Sequence, residues 1–115
     1  MLPYDRRKNR LTEPVLYSRD SEGKHFFKID HVYGYEIGIS AQATPRMALE
    51  EVCHELTPPN CKLTLIPLNV AAHTALSDLL GDLHKDENVL VQKRLRRIRD
   101  YNIVPFVGRT IEFRF

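Results

Sequence analysis

Apolar positions along this 115-residue chain switch between a period of two and a period near 3.6, and the switches divide it into elements. Val15 to Ser18 reads as a short strand, Arg19 to Gly23 as a polar turn, and Lys24 to Asp30 as a second strand rich in β-formers, together a hairpin signal. Tyr35, Ile37 and Ile39 alternate with Glu36, Gly38 and Ser40, as in a half-buried strand. Between these two strands lies either a turn at His31 to Gly34 or, in one long bent strand, a bulge at Gly34.

The period then lengthens. Thr44 can cap free N–H groups and Pro45 has none to waste, so a helix is predicted to start here. Its seam is Pro45, Ala48, Leu49, Val52 and Leu56, and Thr57-Pro58-Pro59-Asn60 stops it. Lys62 to Ile66 alternates like a strand and ends at Pro67. Asn69 caps a second helix from Val70 to about His84, striped by Ala72, Leu76, Leu79, Leu80 and Leu83. Gly81 inside it costs ~1 kcal/mol. After a polar break, with Asp86 or Asn88 as cap, Val89 to Asn102 reads as a third helix with Val91, Leu95, Ile98 and Asn102 on its buried line. Asn102 suits a left-handed helix end. Ile103 to Val107 and Thr110 to Phe115 are two strands around Gly108-Arg109.

The fold expected is one α+β domain over residues 14–115, with N-terminal antiparallel strands, three helices and a C-terminal β-hairpin. Residues 1–13 are polar and basic without periodicity, and read as an arm. Composition agrees with a soluble globular chain, at 43% apolar and 28% charged residues. No apolar run approaches the ~18 to 20 residues that span a bilayer, and MLPYDRRKNR lacks the apolar core of a signal peptide. The default location is the cytoplasm, where Cys53 and Cys61 are expected as free thiols.

A net charge of +2 hides an uneven distribution. Arg6, Arg7, Lys8 and Arg10 crowd the arm against Asp5 alone, and Lys93, Arg94, Arg96, Arg97 and Arg99 follow one another without an acid. From Thr44 to His84 acids outnumber Lys and Arg. The third helix therefore carries a wide basic face beside a narrow apolar seam, a surface for an anionic partner or an ordinary solvated face.

KRLRRIRDYNIV followed by VGRTIEFRF, a basic amphipathic helix running into a hairpin with Gly108-Arg109-Thr110 at its tip, resembles the winged helix-turn-helix family of DNA-binding domains. ALSDLLG, Ala75 to Gly81, looks like the helix that precedes a recognition helix in that family. The resemblance covers residues 44–115 and is one of pattern. It implies a non-enzymatic DNA-binding regulator, with Gln92, Lys93, Arg94, Arg96 and Arg97 toward DNA and Arg109 at the wing tip. Asp86 and Glu87 open the helix and the cations come late, so phosphate contact is expected before base reading. Arg99 extends the basic surface, and Arg6, Arg7, Lys8 and Arg10 suit a tail along a groove. Five phosphates neutralised would give a salt slope near −4.5.

A second class stays open: a small protein-interaction module, an inhibitor or adaptor of the kind mobile elements encode, docking an acidic protein surface through the same cations or a basic one through Asp78, Asp82 and Asp86. The strand Ile111 to Phe115 suits edge pairing in a homodimer. Tyr4, Phe26, Phe27, Tyr33 and Tyr35 suit base stacking or, by their alternation, core packing. Signs of catalysis are weak. Cys53, His54 and Cys61 match no paired metal-ligand spacing, adjacent helical residues such as Cys53 and His54 point apart, and His73 and His84 lie far apart on one helix. No phosphate loop, nucleophile elbow or zinc-protease motif is present. No cofactor, metal or membrane partner is expected.

Overall fold

The computed structural model describes residues 13–29 and 35–115. The arm with Arg6, Arg7, Lys8 and Arg10, and the turn or bulge at 31–34, lie outside the described residues. The elements run β1 (Val15–Arg19), β2 (His25–Ile29), β3 (Glu36–Ile39), α1 (Pro45–Leu56), β4 (Lys62–Pro67), α2 (Val70–Lys85), α3 (Glu87–Leu95), β5 (Ile103–Phe106) and β6 (Arg109–Phe113).

All six strands join one mixed sheet in the order β3-β2-β1-β4-β6-β5. The β1–β2 turn is closed by Asp20, whose Oδ1 accepts from the N–H groups of Glu22 and Lys24, and by Gly23 at a φ of 85°. Strands β1–β2, β2–β3 and β5–β6 pair antiparallel, whereas β1–β4 and β4–β6 are parallel. Parallel neighbours need crossovers, which α1 and the α2–α3 pair supply. Both crossovers step the same way across the sheet, so a common right hand puts the helices on one face. Burial matches: Val15, Tyr17, Phe27, Ile29, Leu63, Leu65, Ile111 and Phe113 point into the core, while Leu16, Ser18, Phe26, Thr64, Ile66 and Glu112 between them stay partly exposed.

Helices α1 and α2 start on the caps expected. Thr44 Oγ1 accepts from Met47 N, and Asn69 Oδ1 accepts from Ala72 N. Their buried stripes are Ala48, Leu49, Val52, Cys53 and Leu56, and Ala72, Ala75, Leu76, Leu79, Leu80 and Leu83. Helix α2 keeps Gly81 in its interior. None of the helices is long and apolar enough to cross a membrane among the described residues.

Helix α3 departs from expectation. Asp86 alone separates it from α2 and caps it, and it ends at Leu95 rather than Asn102. Arg97 turns left-handed, at a φ of 58°, with Arg97 N donating to Arg94 O and Ile98 N to Lys93 O. That pair of bonds is the Schellman closure, normally built on glycine. Past this point the line through Val91, Leu95, Ile98 and Asn102 no longer holds. Val91 is 43% and Leu95 71% exposed, and Val89 is the residue that α3 buries.

The hairpin β5–β6 turns through Val107 and Gly108, both at positive φ, the geometry of a two-residue turn with mirror-image dihedrals. Strand β6 lies inside the sheet, between β4 and β5, so the hairpin is no free wing. Pro105 sits in the outermost strand, where a missing N–H does least harm.

Candidate functional site: the basic segment and the groove beside it

Cations that sequence alone cannot tell apart fall into distinct groups. Arg46, Lys62, Lys85 and Arg114 each lie within ion-pair distance of a carboxylate. Lys93 points its Nζ at Asp100 O, 2.9 Å away, and burial lowers its pKa against the pull of Asp100. Arg96 reaches Thr110 Oγ1 across a long 3.4 Å. Arg94, Arg97 and Arg99 are exposed and make no ion pair with a carboxylate among the described residues. The Schellman turn folds this segment back, so the arginines crown the end of α3 rather than lining one long helix face.

Arg109 is not at an exposed tip. It is 7% exposed, and its guanidinium donates from Nε and Nη2 to Thr57 O and from Nη1 to Val107 O. Thr57 ends α1, so Arg109 places a cation where the helix dipole is negative. Its role is to lock the hairpin turn to α1, a task shared by the bond from Asn60 N to Gly108 O. Arg109 thus leaves the set of surface contacts.

Between α1, α3 and the hairpin turn opens a groove of about 460 Å³. Asn88, Gln92 and Arg96 recur every four residues and form one row along its wall. Opposite stand Arg46 and Glu50 of α1, and Phe106 supplies an apolar surface under the Arg46 guanidinium, 5.8 Å from its ring centre. Arg46 also holds Asp86, at 3.2 Å, and this contact together with the N–H of Asn88 keeps the Asp86 carboxyl below its usual range. Sequence reasoning found Gln92 and Arg96 but not Asn88, Arg46 or Glu50 as their neighbours. The four-residue spacing of 88, 92 and 96 was the available signal.

A second groove, about 700 Å³, runs between α1 and α2, with Asp78 and Asp82 on one side and Arg19 on the other. Asp86 does not extend that acidic stripe, because it leaves α2 to cap α3.

Three further titratable groups, Tyr17, His25 and Cys53, lie in the core. His25 is fully buried and lies 2.7 Å from Tyr17 Oη through Nδ1 and 2.8 Å from Ala43 O through Nε2. A carbonyl only accepts, so Nε2 carries the proton and Tyr17 donates to Nδ1. Burial lowers the His25 pKa and pushes the Tyr17 hydroxyl up to about 12. Burial also pushes the Cys53 thiol up to about 12, against the pull of Arg109, so it stays protonated at neutral pH. Cys53 and Cys61 form no disulfide among the described residues, His54 faces solvent, and among the described residues no group of three His, Cys, Asp or Glu is placed to hold a metal ion. His84 stacks on Tyr101, and His73 packs against Phe115 with the rings tilted by 55°.

Compared with known protein families, curated proteins and solved structures, the chain matches none.

Proposed function

We propose that this chain is a non-enzymatic nucleic-acid-binding protein that grips phosphates through Arg94, Arg96, Arg97 and Arg99. The observation that carries the reading is Arg97, an arginine in the left-handed position that glycine fills at lower cost, among neighbours that lack carboxylate partners. Helices α2 and α3 and the β5–β6 hairpin follow one another as in a winged helix-turn-helix regulator, with α3 as the helix nearest the phosphates. The hairpin contributes only its turn. Acids at Asp86 and Glu87 keep the start of α3 away from the backbone, so affinity without strong duplex sequence selectivity is expected.

Four phosphates neutralised give a salt slope of about −3.6 on duplex DNA and about −2.8 on a single strand. A fourfold rise in salt then weakens duplex binding about 150-fold. The test is titration of a fluorescent 20-mer, duplex and single-stranded, at low salt, with wild type and the Arg94, Arg96, Arg97 and Arg99 alanine variant. Failure of the wild type to bind either form, or full binding by the variant, removes the proposal.

Exposed Leu90, Val91 and Leu95 beside the same arginines support a second reading, an acidic protein partner with apolar side chains. That reading requires capture of a protein from extract to survive nuclease treatment and to be lost when these arginines are reversed in charge.

A further inference from the structure

Chemistry in the groove beside the arginines is more specific than phosphate binding needs. Its wall row ends at Arg96, one of the four arginines, so the groove adjoins the basic segment. Along the row, the side-chain amides of Asn88 and Gln92 and, opposite, the Glu50 carboxylate make no hydrogen bond or ion pair with the described residues. Phe106 gives the groove an apolar surface, and the Arg46–Asp86 pair fixes one end. A concave site of this size, with an apolar surface and a few convergent polar groups, is the ordinary form of a small-ligand pocket. The turn that bounds it carries Val107 at a φ of 50°, unusual for a β-branched residue.

We infer that this groove takes an unpaired base of the bound strand, and that the base is guanine. This rests on the nucleic-acid reading above. Glu50 is an acceptor only, and guanine is the base that offers one carboxylate two adjacent donors, its ring N1–H and its exocyclic amine. Asn88 and Gln92 can both donate and accept, which suits guanine O6 and N7. The base enters from a single-stranded segment, because a paired guanine has its N1–H edge occupied. Arg96 takes the adjoining phosphate.

The experiment compares thymidine 12-mers that carry one central dG, dA or dC, with an all-dT strand and a duplex of the same length. Binding is measured by fluorescence anisotropy across a salt series. The dG strand is expected to bind at least about fivefold tighter than the others, the discrimination of one good bidentate contact. Glu50→Gln, on an exposed site, and Gln92→Ala should bring the four strands within about twofold while leaving the salt slope unchanged. Arg94→Ala with Arg97→Ala and Arg99→Ala should weaken every strand and flatten the slope yet preserve the dG ratio. GMP should compete more weakly than the dG strand; equal affinity overturns a strand as the source of the base. Equal binding of all four strands, or a dG preference that persists in Glu50→Gln, overturns the guanine pocket while the phosphate reading stands. Absence of binding to every strand and to the duplex overturns both.

Discussion

Replacing Arg97 by glycine separates the cost of a backbone position from the use of its charge. An L-residue held in the left-handed region costs roughly 1–2 kcal/mol, and Arg97 sits there at a φ of 58°. Glycine removes that cost but gives back roughly 0.5–1 kcal/mol, because it loses more conformational freedom on folding. The net expected for Arg97→Gly is therefore about 0–1.5 kcal/mol of added stability, centred on a rise of roughly 3–4 °C in Tm for a domain of this size. The Schellman bonds, Arg97 N to Arg94 O and Ile98 N to Lys93 O, are backbone bonds and survive the change. Binding should move the other way, since one phosphate contact fewer lowers the duplex salt slope by about 0.9. Arg97→Ala serves as control, with the same loss of charge and no gain in Tm. Thermal melts and anisotropy titrations on the three proteins decide the matter. A glycine variant that melts below wild type would refute the argument from backbone cost, and one that binds with an unchanged slope would refute the role of the charge.

Arg109→Ala leaves Thr57 O and Val107 O without the guanidinium and should cost about 2–5 kcal/mol in urea unfolding, with Arg109→Lys recovering only part because an ammonium lacks the fork. A loss below about 1 kcal/mol in either variant would remove Arg109 as the lock between α1 and the hairpin. Gly81→Ala should stabilise by about 0.5–1 kcal/mol, since an added Cβ meets nothing within 4 Å, and a lower Tm would contradict it. His25 has a folded pKa below its ordinary 6.5, so the unfolded chain binds the extra proton first. The His25 contribution is present above pH 6.5 and is lost as pH falls below it, and His25→Phe should remove that slope from a stability profile. Glu112 acts in a separate, more acid window. Burial pushes its carboxyl up, but the bonds from Lys62, Arg114 and Thr64 hold it below 4.5, so its contribution is lost only as pH falls through that range.

Caps and periodicity made α1 and α2 legible to within a residue, because Thr44-Pro45, Asn69 and the Leu-rich stripes are local signals. The strands were legible one by one, but their assembly was not. Nothing in KLTLI announces that β4 pairs parallel with both β1 and β6, since such pairings join distant segments. The third helix is shorter than its pattern for a physical reason. Val91, Leu95, Ile98 and Asn102 keep helical spacing, yet the helix ends where Arg97 adopts a conformation that sequence rules assign to glycine or asparagine. The basic segment was visible from charge alone, whereas the burial of Arg109 and the groove around Glu50 arise from tertiary packing. The Tyr17–His25 bond spans the first hairpin, and the strand pattern named neither residue as buried nor as a partner of the other.

Strand β4 also governs how the molecule must be made. On one side of it stand β1, β2 and β3, linked antiparallel by neighbours in sequence, and on the other the β5–β6 hairpin, equally local. Both units can form quickly from nearby residues. Strand β4 joins them only through contacts as distant as the 48 residues between Thr64 and Glu112 and the 50 between Val15 and Leu65. Closing loops of that length comes before any reward from pairing, so insertion of β4 is the expected slow step of folding. Until it occurs, both of its neighbours present open strand edges, and the interval before β4 docks is when the chain is most exposed to pairing with a second copy of itself.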